Sequence, residues 1–217
     1  MHAPNTPASA NASARGQRRA RAAAAAQLAL LLLCACPAAQ AYIDVRNNCG
    51  FALTAFWRSG AGSTHNKRLL PGELVQVTFS GGVWVAGVIW GSRNASINNG
   101  HATQLEFTIG ADVGGGKKQD FYDVNAYNTP VRVRPLNPPS VSGSWCGSPS
   151  CVIPSLATWC TGPNYRAGPD PACINKDGPG LVATPGTRAF KAKCPQDDAT
   201  SMFACKWGTN YEVKFCP

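Results

Sequence analysis

The chain ends CKWGTNYEVKFCP, with Cys216 one residue from the terminus, and this cysteine constrains the fold more than any other feature. Chain ends fray unless something ties them down, and a thiol placed there packs against little. A disulfide there anchors the last strand, provided the compartment is oxidising. The opposite end speaks to that. Arg15, Arg18, Arg19 and Arg21, with no acidic residue before Asp44, precede the apolar run AAAAAQLALLLLCAC, and AQA follows at 39–41. Positive region, apolar region and small residues together predict a secretory signal peptide over residues 1–41, cleaved before Tyr42. The 15-residue run falls short of the ~20 residues a spanning helix needs. An exported protein without a stable membrane anchor is expected.

Cys34 and Cys36 leave with the signal, so eight of the ten cysteines remain: Cys49, Cys146, Cys151, Cys160, Cys173, Cys194, Cys205 and Cys216. An even number in an exported chain reads as four disulfides, and eight cysteines allow 105 pairings. Zinc has little support: no C-x2-C pair occurs, and only His65 and His101 survive processing. No metal or cofactor is expected. The signal carries four of the twenty basic residues and none of the eleven acidic ones, which leaves a mature charge of +5. These charges are spread singly, with no run of five Lys or Arg, so a nucleic-acid partner is not expected. A basic exported protein is still drawn to acidic polysaccharides and phospholipid surfaces.

Along 42–217 the dominant pattern is short alternating runs. YIDVRNN sets Ile43 and Val45 against Asp44 and Arg46, reading as an edge-like strand ended by Asn47 and Asn48. FALTAFW, ELVQVTF, GVWVAGVIW, QLEFTIG, DFYDV and PVRVRPL continue it, separated by Gly, Pro, Asn and Ser. SMFACKW and YEVKFCP resume it at the end. No segment of eleven residues shows a helical period, so the class is all-β, a sandwich or barrel. Residues 137–194 differ: Pro- and Gly-rich, with five of the eight cysteines, they predict a loop region held by disulfides. GADVGGGKK has Ala111 and Lys118 where a phosphate loop needs Gly and Ser or Thr, and reads as a tight glycine turn between strands.

These runs, in this order, resemble the thaumatin-like proteins. The opening YIDVRNNCGFALTAFW, then RLLPGE, VIWG, QLEFTIG, QDFYDV and YNTPVRVRP, and the ending KWGTNYEVKFCP carry the resemblance. The C-x4-C-x8-C spacing from Cys146 and the Cys194-Pro195 pair add to it. It covers essentially all of 42–217 and implies a flattened β-sandwich with a reduced, disulfide-stapled loop region. It also implies the pairings Cys49–Cys216, Cys146–Cys205, Cys151–Cys194 and Cys160–Cys173. The chain departs from the family where GSRNASINNGHA replaces a cysteine-rich stretch, and the loop region is cut down, so it resembles the short members. Asn94, in NAS, meets the N-glycosylation rule.

The resemblance further implies an acidic cleft, built in the family from one Arg, one Glu and three Asp. Glu106 and Asp123 match two positions, and Asp198 a third, with Asp197 as its fallback. Asn125 stands nearest the missing Asp. Val88 replaces the Arg, for which Arg93 is the compensating candidate. A polysaccharide-binding defence protein, antifungal and directed at β-1,3-glucan, is the leading expectation. The alternatives are a β-1,3-glucanase with Glu106 and Asp123 as its carboxylate pair, and an inhibitor of a foreign glycanase. The expected partner is a cell-wall polysaccharide or such a glycanase, and the expected state is monomeric. Among the tryptophans, Trp84 and Trp90 lie in apolar runs and read as core, whereas Trp145 and Trp159 are the better sugar-stacking candidates. Non-reducing peptide mapping of the mature protein should find no free thiol and a Cys49–Cys216 link. Cys216 found free, or joined to Cys205, would refute that pairing.

Overall fold

The computed structural model describes residues 41–95, 102–125, 129–136, 146–151, 165–167, 172–173 and 203–217, all within the compact unit Gln40–Pro217. The signal segment and most of the loop region lie outside the described residues. In chain order the strands are β1 (Tyr42–Asn47), β2 (Leu53–Ser59), β3 (His65–Leu69), β4 (Leu74–Thr78), β5 (Trp84–Ser92), β6 (Gln104–Asp112) and β7 (Lys118–Asn125). Then come β8 (Val131–Leu136), β9 (Ser150–Cys151), β10 (Tyr165–Arg166), β11 (Ala172–Cys173), β12 (Phe203–Lys206) and β13 (Asn210–Phe215). Among the described residues the one helical turn is Ser80–Gly82.

Two large open sheets form, of five strands in the order β4-β1-β13-β8-β9 and six in the order β12-β7-β6-β5-β2-β3, and β10 pairs with β11 in a two-stranded ribbon. The fold is therefore a sandwich rather than a barrel. Alternation decides which side chains meet between the sheets. Ile43, Val45, Val213 and Phe215 of one sheet bury against Ile89, Leu105, Phe107 and Val124 of the other. Tyr211 crosses the interface, its ring centroid 5.6 Å from Phe107 and 5.1 Å from Tyr122. The sheets approach closely at Gly91, where an added Cβ would lie 3.1 Å from the Phe215 ring.

The opening strand is interior, not an edge: β1 pairs in parallel with β13 and antiparallel with β4. Its polar residues, Asp44 and Arg46, occupy the solvent side of a sheet whose other side is buried, and a one-sided sheet gives the same alternation at its centre as at its rim. β3 was not legible as a strand because HNKRL is polar on both faces except at Leu69. It is the true edge of its sheet, and Lys67 and Arg68 there guard against edge pairing. Within the loop region, Ser150 and Cys151 join the five-stranded sheet beside β8.

Cys49 and Cys216 are joined, 167 residues apart in sequence, and Cys146 is joined to Cys205. On the chain-entropy estimate the longer loop is worth roughly 5 kcal/mol. Cys151 is disulfide-bonded too, with its partner outside the described residues. The glycine turn between β6 and β7 places Gly114, Gly115 and Gly116 at φ of 87°, 62° and 70°, a region that Gly enters without steric cost.

Among the described residues one acid lies between the sheets. Asp120 is wholly buried; the Gly110 N–H donates to its Oδ1 at 2.9 Å and the Tyr211 hydroxyl to its Oδ2 at 3.1 Å. Burial pushes its carboxyl from 3.8 up to about 6, against the pull of those hydrogen bonds. The folded form thus holds this proton more tightly than the unfolded chain. Its contribution is full below about pH 3.8 and is lost as pH rises through about 6. Asn can accept from Gly110 and donate to the Tyr211 oxygen. We therefore expect Asp120→Asn to flatten the fall in urea midpoint between pH 4 and 7; a variant with the wild-type slope would contradict the assignment.

Candidate functional site

The outer face of the six-stranded sheet holds the acids singled out above. With Leu105, Phe107 and Ile109 turned into the core, alternation turns Gln104, Glu106 and Thr108 outward. Register does the rest. Arg58 of β2 lies opposite Val88 of β5, Val88 opposite Glu106 of β6, and Glu106 opposite Asp123 of β7. A single row therefore crosses four strands. Direct cross-strand neighbours have Cβ atoms about 4.5–5.5 Å apart, so the two carboxyls stand side by side. Arg58 stands two strands from Glu106, roughly 10 Å at the usual strand spacing. All four residues line one cavity of about 430 Å³, together with Gln104, Thr108 and Phe121.

The next row supports this one. Phe56, Trp90 and Gln104 are in register, and the Phe56 and Trp90 rings stack with centroids 5.3 Å apart. With Val88 and Ala102 they form a second apolar cluster, separate from the main core. The Arg58 guanidinium lies 5.9 Å from the Trp90 ring centroid, a cation–π distance that steers it along the sheet. Glu106 is exposed and Asp123 buried, at 7 % of its accessible surface, so the pair combines a solvated acid with a shielded one.

The structure brings Arg58, not Arg93, into the row. Arg93 is exposed beyond the end of β5, its guanidinium 3.9 Å from the Phe51 ring centroid, and it does not line the cavity. Arg58 lies one residue past the run FALTAFW, and β2 continues through it to Ser59. The signal available was continued alternation: Thr54, Phe56 and Arg58 share one face. Neither Arg132 nor Arg134 serves the acids, since Arg134 pairs with Glu212 on the other sheet, Nη2 to Oε2 at 2.9 Å. Asn125 falls in the neighbouring row, opposite Gln104. Asp197, Asp198, Trp145, Trp159 and Cys194 lie outside the described residues. Asn94 is exposed in a turn.

Trp84 and Trp90 are buried. A second cavity, of about 670 Å³, shares Arg58, Gly60 and Ala86 with the first and is lined by Trp57 and His65, whose rings stack at 5.9 Å. The acidic row thus continues round the sheet edge into an aromatic recess. Among the described residues no group of three or more His, Cys, Asp and Glu could hold a metal ion.

No family model matches the chain. The pathogenesis-related 5 protein Jun a 3.0101 of Juniperus ashei is 28% identical over 207 residues, covering 80% of this chain and 87% of its own length. The pathogenesis-related thaumatin-like protein 3.8 of Cryptomeria japonica is 27% identical over 208 residues, with the same coverages, 80% and 87%. Over four-fifths of its length the chain is similar to thaumatin-like proteins of the pathogenesis-related 5 group. Among solved structures, the thaumatin-like xylanase inhibitor TLXI is similar at a TM-score of 0.45 and 14% identity, covering 81% of this chain and 99% of that one. For this thaumatin-like chain, Glu106→Gln tests the row directly. Like charges set opposite each other across strands destabilise a sheet. Removing one should leave folding intact or raise stability by up to about 1 kcal/mol in urea unfolding; a loss of that size would mean that the Glu106 charge is needed by the fold.

Proposed function

We propose that this protein is an exported defence protein that binds cell-wall polysaccharide, β-1,3-glucan in the first instance, at the Arg58–Val88–Glu106–Asp123 row without hydrolysing it. The observation that carries the reading is the register that sets two carboxylates side by side in an open cavity with a guanidinium in the same row. Carboxylates accept hydrogen bonds from sugar hydroxyls and a guanidinium donates to ring and hydroxyl oxygens, while Phe121 and, in the adjoining recess, Trp57 offer aromatic faces. The predicted signal peptide and the disulfides favour export. A glycan at exposed Asn94 belongs to the same reading.

Hydrolysis is the second reading, because neighbouring carboxyls match the ~5–5.5 Å spacing of retaining glycosidases better than the wider inverting gap. Against it, only Asp123 of the pair is shielded, and Glu106 stands exposed rather than in an apolar pocket. Sedimentation with insoluble glucans, run beside a reducing-sugar assay, separates the possibilities. Binding without sugar release is expected. Glu106→Gln and Asp123→Asn retain an acceptor oxygen, so each should lower glucan retention by less than roughly tenfold, about 1.4 kcal/mol. A wild-type protein that releases sugar, with variants that do not, would establish a glucanase. Neither sedimentation nor release would shift the reading to inhibition of a foreign glycanase.

A further inference from the structure

The opposite outer face of the sandwich, on the five-stranded sheet, carries a different charge pattern. Val45, Val133 and Val213 point into the core, so Arg46, Arg132, Arg134, Glu212 and Lys214 point out. Arg46 of β1 lies opposite Lys214 of β13, and Lys214 lies opposite Arg132 of β8. Three cations therefore stand in line across three adjacent strands, about 4.8 Å from one strand to the next. Arg134, opposite Glu212, adds a fourth cation on the same face.

Such a row opposes folding, because like charges directly across a sheet repel. Internal neutralisation is incomplete. Glu212 alone serves three cations, Arg134 at 2.9 Å, Arg46 at 3.7 Å and Lys214 at 3.9 Å. The other acid nearby, Asp44, accepts from the Gln76 amide at 3.1 Å. Arg132 makes no ion pair among the described residues, and its buried Nε has no hydrogen-bond partner. In the row Arg46 keeps 35% and Lys214 22% of their side-chain surface open, and neighbouring Arg134 keeps 52%, so the excess charge is available from solvent.

We propose that this face binds a linear polyuronate, a carboxylated cell-wall glycan, through Arg46, Lys214 and Arg132. The cations form a straight, flat line at strand spacing, which suits carboxylates recurring along an extended sugar chain, and Arg matches a carboxylate with paired donors. A lipid surface fits less well. Stable membrane attachment combines basic charge with inserted apolar groups, and the apolar residue in this register, Leu74 opposite Arg46, lies on β4 at the sheet edge. The site is independent of the glucan cleft and stands or falls without it.

The test is calorimetric titration of the mature protein with an oligogalacturonate. Binding is expected at low ionic strength and is expected to be lost near 1 M salt, where the Debye length is about 3 Å. Arg132→Gln is the decisive variant, because among the described residues Arg132 makes no ion pair that the change would break. It should weaken binding by at least about tenfold while its unfolding midpoint stays level or rises. Lys67→Gln with Arg68→Gln, which removes two cations from the exposed edge strand β3, should change affinity by less than about twofold. Equal weakening by both sets would overturn the proposal in favour of diffuse charge. Retention on phosphatidylserine vesicles with no oligogalacturonate binding would overturn it in favour of a membrane, and binding that survives 1 M salt would also sink it.

Discussion

The sandwich depends on its first and last strands lying side by side. β1 and β13 run parallel through a register of five residue pairs, from Ile43 opposite Tyr211 to Asn47 opposite Phe215. Parallel neighbours cannot be joined by a hairpin, so the chain passes through the other sheet before β13 closes beside β1. The pair is pinned at both ends. The Tyr42 amide donates to the Asn210 side chain at 3.1 Å, and the Asn48 amide group donates to the Cys216 carbonyl at 2.8 Å. The Cys49–Cys216 disulfide lies just beyond. This is what the terminal cysteine does: it secures a strand that sits at the centre of its sheet, where fraying would open the core rather than trim an edge.

A second tie joins the sheets through polar chemistry. The buried Asp120 on β7 accepts from Tyr211 on β13 and from Gly110. Gly110 sits in the irregular stretch of β6 between Thr108 and Ala111, with φ of 72°. An acid wholly enclosed by protein is costly unless it is hydrogen-bonded. Here its two donors, the Gly110 N–H and the Tyr211 hydroxyl, fix both the local twist of β6 and the seating of the last strand. Tyr122, beside it, donates to the Gly147 carbonyl at 2.6 Å, which draws the start of the loop region onto the same wall near Cys146–Cys205.

With the inner faces committed to packing, chemistry is left to the outer faces. The same alternation that fills the core lays out rows of side chains at strand spacing. On one sheet the row reads Arg58, Val88, Glu106, Asp123; on the other it reads Arg46, Lys214, Arg132. A sandwich of this kind can therefore present opposite charge on its two sides while the whole chain remains only moderately basic.

Period and punctuation are local properties, and they were enough for the all-β class, for nine of the strands, for the glycine turn at 114–116 and for the burial of Trp84 and Trp90. The need for disulfides also followed from the number of cysteines, and the carboxylates Glu106 and Asp123 were visible through the family resemblance of their strands. Register is not local. That β1 lies inside its sheet, that polar HNKRL forms an edge strand, and that Arg58 rather than Arg93 shares a row with the acids all depend on which strands pair and at which residue. Strand pairing is settled by burial and hydrogen bonding summed over distant segments, so a residue's own neighbours in sequence carry no record of what stands opposite it.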